Sequence, residues 1–178
     1  QTEHLDTILT RLLETTKIRQ GEKKLHRIDF EEEIENVISS FITMEGFDRI
    51  HFEKHISVNG KFYSDKILLN SLFQNLIHNG IKYRNESARN SYLKLNVTGD
   101  EEGVTIIIED NGIGIPEEFQ KDIFKMFFRA TDKTHGSGLG LYTVKHCVKK
   151  LDGYINFSSK ENRGTTFTLY IPNSVTNP

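Results

Sequence analysis

The stretch Val104-Thr105-Ile106-Ile107-Ile108-Glu109-Asp110-Asn111-Gly112-Ile113-Gly114-Ile115-Pro116 carries more information about this chain than any other. Its first half is an apolar, β-branched run of strand type. The second half breaks the strand with two glycines one residue apart, which let the backbone turn sharply and approach a ligand that a Cβ would block. Asp110 stands at the junction, a fixed acceptor suited to an exocyclic amine such as that of adenine. The same residues would also serve as a plain glycine turn with a capping aspartate. They do not form a dinucleotide fingerprint, because the third glycine is missing and Pro116 intervenes.

Strand signals lie on either side of this stretch. Tyr92 to Thr98 precedes it across Gly99–Gly103, and Arg49 to Ser57 alternates further upstream. Downstream, Gly153 to Ser158 and Thr165 to Ile171 form a hairpin around Asn162-Arg163-Gly164. Helical spacing is found over Phe30–Phe41 and over Asp65–Tyr83, the latter with Ser64 as N-cap. Short helices are predicted over Pro116–Lys121 and Ile123–Phe128, and a longer one over Gly138–Leu151. Strands arranged mostly as hairpins, with helices between them, predict an α/β (α+β) two-layer sandwich. Its sheet would be mixed and mostly antiparallel, with helices on one face. Thr2 to Arg19 adds an amphipathic helical segment in front, with Leu5, Ile8, Leu9, Leu12 and Leu13 on one stripe, and Gln20-Gly21-Glu22-Lys23-Lys24 breaks its period.

Two further features bear on chemistry. Gly136-Ser137-Gly138-Leu139-Gly140-Leu141 opens the last helix, where exposed N–H groups and the helix dipole would favour phosphate; a flexible loop with Ser137 as cap is the plainer alternative. Asn75, Asn79 and Lys82 share one helical face, four and three residues apart, while Leu68, Leu69, Leu72, Phe73, Leu76 and Ile77 pack inward. Two amides and an ammonium on one stripe suit a hydrated Mg²⁺ and phosphate oxygens, although an isolated polar stripe is usually only a solvated face.

Composition narrows the classes. Across 178 residues, 25 acidic and 23 basic side chains nearly cancel, so no overall field draws the chain to nucleic acid or to an anionic membrane. The single cysteine, Cys147, excludes an internal disulfide framework. No apolar run approaches the length of a membrane span, and no signal-peptide pattern opens the chain. His51 and His55 have metal-ligand spacing only on a helix, and their surroundings read as strand.

Taken together, Asn75–Tyr83, Asp110–Gly114 and Gly136–Gly140 resemble the N-box and the two glycine boxes of the Bergerat-type ATPases. Within that superfamily the match is to the sensor histidine kinases. Ile123–Arg129 resembles their phenylalanine box, and Gly164-Thr165-Thr166-Phe167 their closing element. The resemblance spans about Phe30 to Pro172 and implies a Bergerat fold that binds ATP and Mg²⁺. It implies that Asn79 is the metal ligand and that Lys82 contacts phosphates. Asp110 would bond the adenine amino group, and Tyr83 would flank the nucleotide. Gly112, Gly114, Ile115, Phe124, Phe127, Gly136, Ser137, Gly138, Leu139, Gly140 and Thr166 would complete the nucleotide site. Asn75, Lys82 and Arg129 are the residues expected to act in transfer, with Arg129 as the leading cation of a lid over Pro116–His135, ahead of Lys125 and Lys133. Gly80 stands where the family usually has alanine.

Hydrolytic branches of the superfamily carry a glutamate where this chain has Asn75, and an amide cannot take a proton from water. Low intrinsic ATPase activity is therefore expected. In the kinases the accepting histidine is followed by an acidic residue, and none of the seven histidines here is. The implied organisation has residues 1–20 as the end of a dimerisation and phosphoacceptor hairpin helix, 21–29 as a linker and 30–178 as the catalytic domain. The implied partners are that hairpin, a response-regulator receiver domain and, for the parent protein, a second copy. No nucleic acid is expected. The expected location is the cytoplasmic side of the membrane, with a parent that a membrane segment could anchor. A nucleotide-dependent binding module and a clamp ATPase are the competing functions, the latter disfavoured by Asn75.

Overall fold

The computed structural model describes residues 21–129 and 137–174, together with Leu9, Thr10, Leu13 and Thr16, which are helical. The rest of the expected Thr2–Arg19 helix lies outside the described residues. A short strand β1 (Leu25–Arg27) leads into helix α1 (Phe30–Ser40), a 3-10 turn (Phe47–Arg49), strand β2 (Ile50–Val58) and strand β3 (Tyr63–Asp65). Helix α2 (Lys66–Lys82), strands β4 (Ser91–Gly99) and β5 (Gly103–Asp110) and one helical turn α3 (Glu117–Gln120) follow. Helix α4 (Gly140–Lys150) and the hairpin β6 (Tyr154–Lys160)–β7 (Gly164–Pro172) complete the domain. The main sheet has the order β2-β4-β5-β7-β6; β2 and β4 are parallel and every other pairing is antiparallel.

Alternation along β4, β5 and β7 buries Leu93, Leu95, Ile106, Ile108, Phe167 and Leu169 under one layer of helices, leaving the opposite sheet face more exposed. This is the two-layer, mixed sheet that the hairpin pattern predicts. Helix α1 turns Phe30, Ile34, Val37 and Ile38 inward. Asp29 caps it by accepting from Glu32 N at 3.2 Å, and three glutamates in its first turn complement the dipole. Helices α2 and α4 pack together in front of the sheet, and their burial fixes the position of the site.

Several boundaries differ from expectation. Helix α2 is capped by Asp65, whose Oδ1 accepts from Ile67 N and Leu68 N at 3.0 Å each, and not by Ser64, whose hydroxyl is buried without a partner among the described residues. Asp65 Oδ2 also accepts from Lys24 N at 2.8 Å. The stretch expected as linker thus carries β1, paired antiparallel with β3. Ile123–Phe128 forms no helix: its backbone bonds, Lys125 N to Asp122 O and Phe128 N to Lys125 O, close separate tight turns, and Phe127 at φ 62° cannot continue one. Gly138, at φ 69°, cannot extend α4 backwards, so the helix starts at Gly140.

Candidate functional site

Helix α2 delivers Asn75, Asn79 and Lys82 from its second half, as the four- and three-residue spacing requires. Asn75 Nδ2 donates to Ser71 O at 2.8 Å, which turns its carbonyl oxygen outward toward the start of α4. A Cβ placed on Gly140 would stand 3.0 Å from Asn75 Oδ1 and 4.0 Å from Asn79 Oδ1. The two amides and the first residue of α4 therefore bound one space, which only a glycine leaves open. Ser137 and Leu139 are buried, and Ser137 Oγ accepts from Leu139 N at 3.4 Å, while Gly138 packs against the Phe127 backbone. Gly136 and Lys133 lie outside the described residues.

The first glycine loop is held against the end of α2. Ile113 N donates to Tyr83 O at 2.9 Å, and a Cβ on Gly112 would collide with that same carbonyl. Tyr83 ends the helix, its N–H bonding Asn79 O at 2.9 Å, and Lys82 Nζ lies 4.8 Å from the centre of its ring. Gly114 has φ 67° and faces the carbonyl of Lys160, where any side chain would clash with backbone.

Asp110 ends β5 on the helix-covered face. Its Oδ1 accepts from Gly112 N at 2.8 Å and more weakly from Thr165 N at 3.3 Å. Oδ2 has no hydrogen-bond partner among the described residues. Burial pushes the carboxyl up from 3.8 to about 6, against the two N–H bonds that lower it, with neighbouring Glu109 adding to the rise. A desolvated carboxylate with one unsatisfied oxygen is prepared to accept a hydrogen bond from a ligand.

Not every expected residue converges here. Thr166 pairs with Glu109, so the strand pleat turns it to the sheet face away from the helices. Its neighbour Thr165, opposite Asp110, is the threonine that meets the carboxylate. Phe124 packs edge-on against Phe157 at 5.8 Å, with Lys145 Nζ 5.6 Å from its ring centre, and is a structural anchor of the segment after α3. Phe127 is half exposed and Arg129 exposed. Sequence reasoning missed Asn111, whose Oδ1 accepts from Tyr92 N at 2.8 Å and whose Nδ2 donates to Asn90 O at 2.7 Å, clamping the loop to the start of β4. It also missed the reason for Gly80: a Cβ there would stand 2.6 Å from Leu93 Cδ1, so the glycine makes room for a core leucine.

The family model of histidine kinase-, DNA gyrase B- and HSP90-like ATPases matches residues 64–175, the part that holds all of this geometry. The autoinducer 2 sensor kinase/phosphatase LuxQ of Vibrio vulnificus is 33% identical over 185 residues, covering 96% of this chain. The chain spans 21% of that relative's length. The histidine kinase AdeS of Acinetobacter baumannii superposes with a TM-score of 0.75 at 24% identity, covering 98% of this chain and 81% of its own. Full-length ShkA in complex with AMPPNP superposes with a TM-score of 0.77 at 19% identity, covering 97% of this chain and 36% of its own. At these identities the two structures speak for the fold alone.

Proposed function

Because the chain belongs to the histidine kinase-, DNA gyrase B- and HSP90-like ATPases and is a catalytic domain of the sensor histidine kinase type, we propose that it binds Mg·ATP. In this reading it presents the γ-phosphoryl group to a histidine on a separate helical hairpin. One observation carries the reading: the carbonyl oxygens of Asn75 and Asn79 meet Gly140 at the mouth of α4, in a space a single Cβ would fill.

The residues fit the groups they would hold. Asp110 Oδ2 accepts the adenine amino group, and Gly112 and Gly114 let the loop lie against the base. Tyr83 flanks the nucleotide and Lys82 contacts phosphate. The N–H groups at the start of α4, from Gly140 onward, receive phosphate oxygens, with Ser137 and Leu139 fixing the loop before them. Asn79 offers a hard carbonyl oxygen, the donor type Mg²⁺ prefers. When bound, the ion would neutralise charge on the phosphates.

What the protein itself does is hold and orient. Loose phosphoryl transfer needs placement and charge compensation, and little covalent help. Arg129 is the cation proposed to reach the phosphates. Asn75 cannot act as a base toward water, which keeps hydrolysis slow. The accepting histidine lies outside these residues, since no histidine here is followed by an acidic one. The parent would be a homodimer, anchored in the membrane with this domain on the cytoplasmic side, and would pass phosphate to a receiver domain. Residues 1–20 would belong to the hairpin and 30–178 to the catalytic unit.

The test is phosphorylation of the parent's hairpin, supplied in trans with labelled ATP. Labelled phosphohistidine on the hairpin, absent in the Asn79→Ala variant, is the expected result. Rapid steady-state ATP hydrolysis without an acceptor, or stable phosphohistidine on the fragment alone, would overturn the assignment.

A further inference from the structure

The glycine loop Asp110–Ile115 is held against the β6–β7 hairpin along its length, by Thr165 N–H at Asp110, by Asn162 N donating to Ile113 O at 2.7 Å, and by one hydroxyl at its end. Ile115 N donates to Ser159 Oγ at 2.8 Å. Ser159 Oγ also lies 2.8 Å from Thr165 Oγ1 and 3.1 Å from Gly164 O. A serine hydroxyl has one proton and two lone pairs. All three contacts are satisfied together in one arrangement: Ser159 accepts from Ile115 N–H and from the Thr165 hydroxyl, and donates to Gly164 O. Thr165 in turn sends its N–H to Asp110 Oδ1 at 3.3 Å. The exit of the loop and the carboxylate at its entrance are thus tied to one bonded pair, Ser159 and Thr165.

Gln120 closes this arrangement from the other side. Its Nε2 donates to Ile115 O at 2.9 Å and to Ser159 O at 3.1 Å. Both polar groups of Ile115 and both of Ser159's oxygens are engaged within a few residues, and Ser159 and Gln120 are partly buried, where such bonds are less open to competition from water. The helical turn α3 therefore belongs to the rigid wall of the site. Beyond Lys121 the chain meets the hairpin again, where Phe124 packs against Phe157 at 5.8 Å.

We propose that Ser159 and Gln120 are positioning residues for the adenine side of the nucleotide site. Ser159 sets the span of the glycine loop and, through Thr165, the aim of Asp110, and Gln120 holds the last residue of the loop against the hairpin. Neither side chain needs to touch the nucleotide. The inference rests on the nucleotide reading above, and it makes claims that the reading does not: the effect should be equal for every ligand that carries adenine, with or without phosphates.

The experiment uses the 178-residue chain with Ser159→Ala, Gln120→Ala and Ser159→Thr. Dissociation constants for adenosine, ADP and Mg·ATP are measured by calorimetry, alongside urea midpoints and amide exchange at residues 112–115. Ser159→Ala should raise all three constants by the same factor, on the order of tenfold, because it leaves the Ile115 N–H and the Thr165 hydroxyl without their partner. Exchange in the loop should quicken by a similar factor. Ser159→Thr restores the hydroxyl and should restore binding to within about twofold, as expected if the hydroxyl and its hydrogen bonds are responsible. Gln120→Ala should act in the same direction, more weakly. A merely structural role would lower the urea midpoint without this ligand pattern. Wild-type binding with unchanged constants in both alanine variants, or a loss confined to ATP, would sink the pair while leaving the site intact. Absence of any binding by the wild type would sink the nucleotide site and the pair with it.

Discussion

Replacing Asp110 with asparagine should make the empty protein more stable while removing much of its affinity for adenine. The side chain keeps its shape, and its Oδ1 can still accept from Gly112 N and Thr165 N. What disappears is a charge held in a poorly solvated position. Folding moves this carboxyl from 3.8 to about 6. At about 1.4 kcal/mol per pH unit, that gap sets a ceiling of about 3 kcal/mol on the cost of the charge, and residual solvent access puts the expected gain at about 1–3 kcal/mol. The sign follows from proton binding. Between 3.8 and about 6 the folded form keeps a proton that the unfolded chain has released, so the wild type loses stability as pH rises through that window and carries the full penalty above it. The variant has no such group. Urea titrations of both proteins at about pH 4 and about pH 7.5 should give a small difference at the lower pH and the full one at the higher. In thermal melts the gain corresponds to about 2–4 °C per kcal/mol for a domain of this size. Nucleotide affinity should move the other way, since the asparagine presents an N–H₂ group where the adenine amine needs an acceptor. Equal or lower stability of the variant at neutral pH, or a difference that does not vary with pH, would refute the account of Asp110 as a desolvated carboxylate.

Gly140→Ala should fold with a stability within about 1 kcal/mol of wild type, because alanine is the better helix former. Its methyl group would occupy the space beside Asn75 Oδ1, so affinity for ATP and ADP should fall while adenosine binds as before, a contrast that calorimetry measures directly. Gly114→Ala should be damaging to the fold itself. It requires φ 67° and drives a methyl group into the Lys160 backbone, so a loss of at least about 2 kcal/mol in urea denaturation is expected.

The parts of this protein legible in its sequence are those set by local periodicity. Asn75, Asn79 and Lys82 fall on one face because 3.6 residues make a turn, whatever lies around them, and the apolar stripe beside them orients that face. The glycine pair after an apolar strand announces a close backbone approach for equally local reasons. Tertiary structure decided what depends on a partner remote in sequence. Ser64 and Asp65 are both good caps by type, and the Lys24 N–H on Asp65 Oδ2 distinguishes them only once β1 lies beside β3. Thr165 rather than Thr166 meets Asp110 because strand register is fixed by the whole sheet, and a shift of one residue exchanges the two faces. Gly80 reads as a weak helix residue until Leu93 is seen to need its missing side chain. Helical faces repeat within a few residues and can be read along the chain, whereas register and close packing exist only between segments.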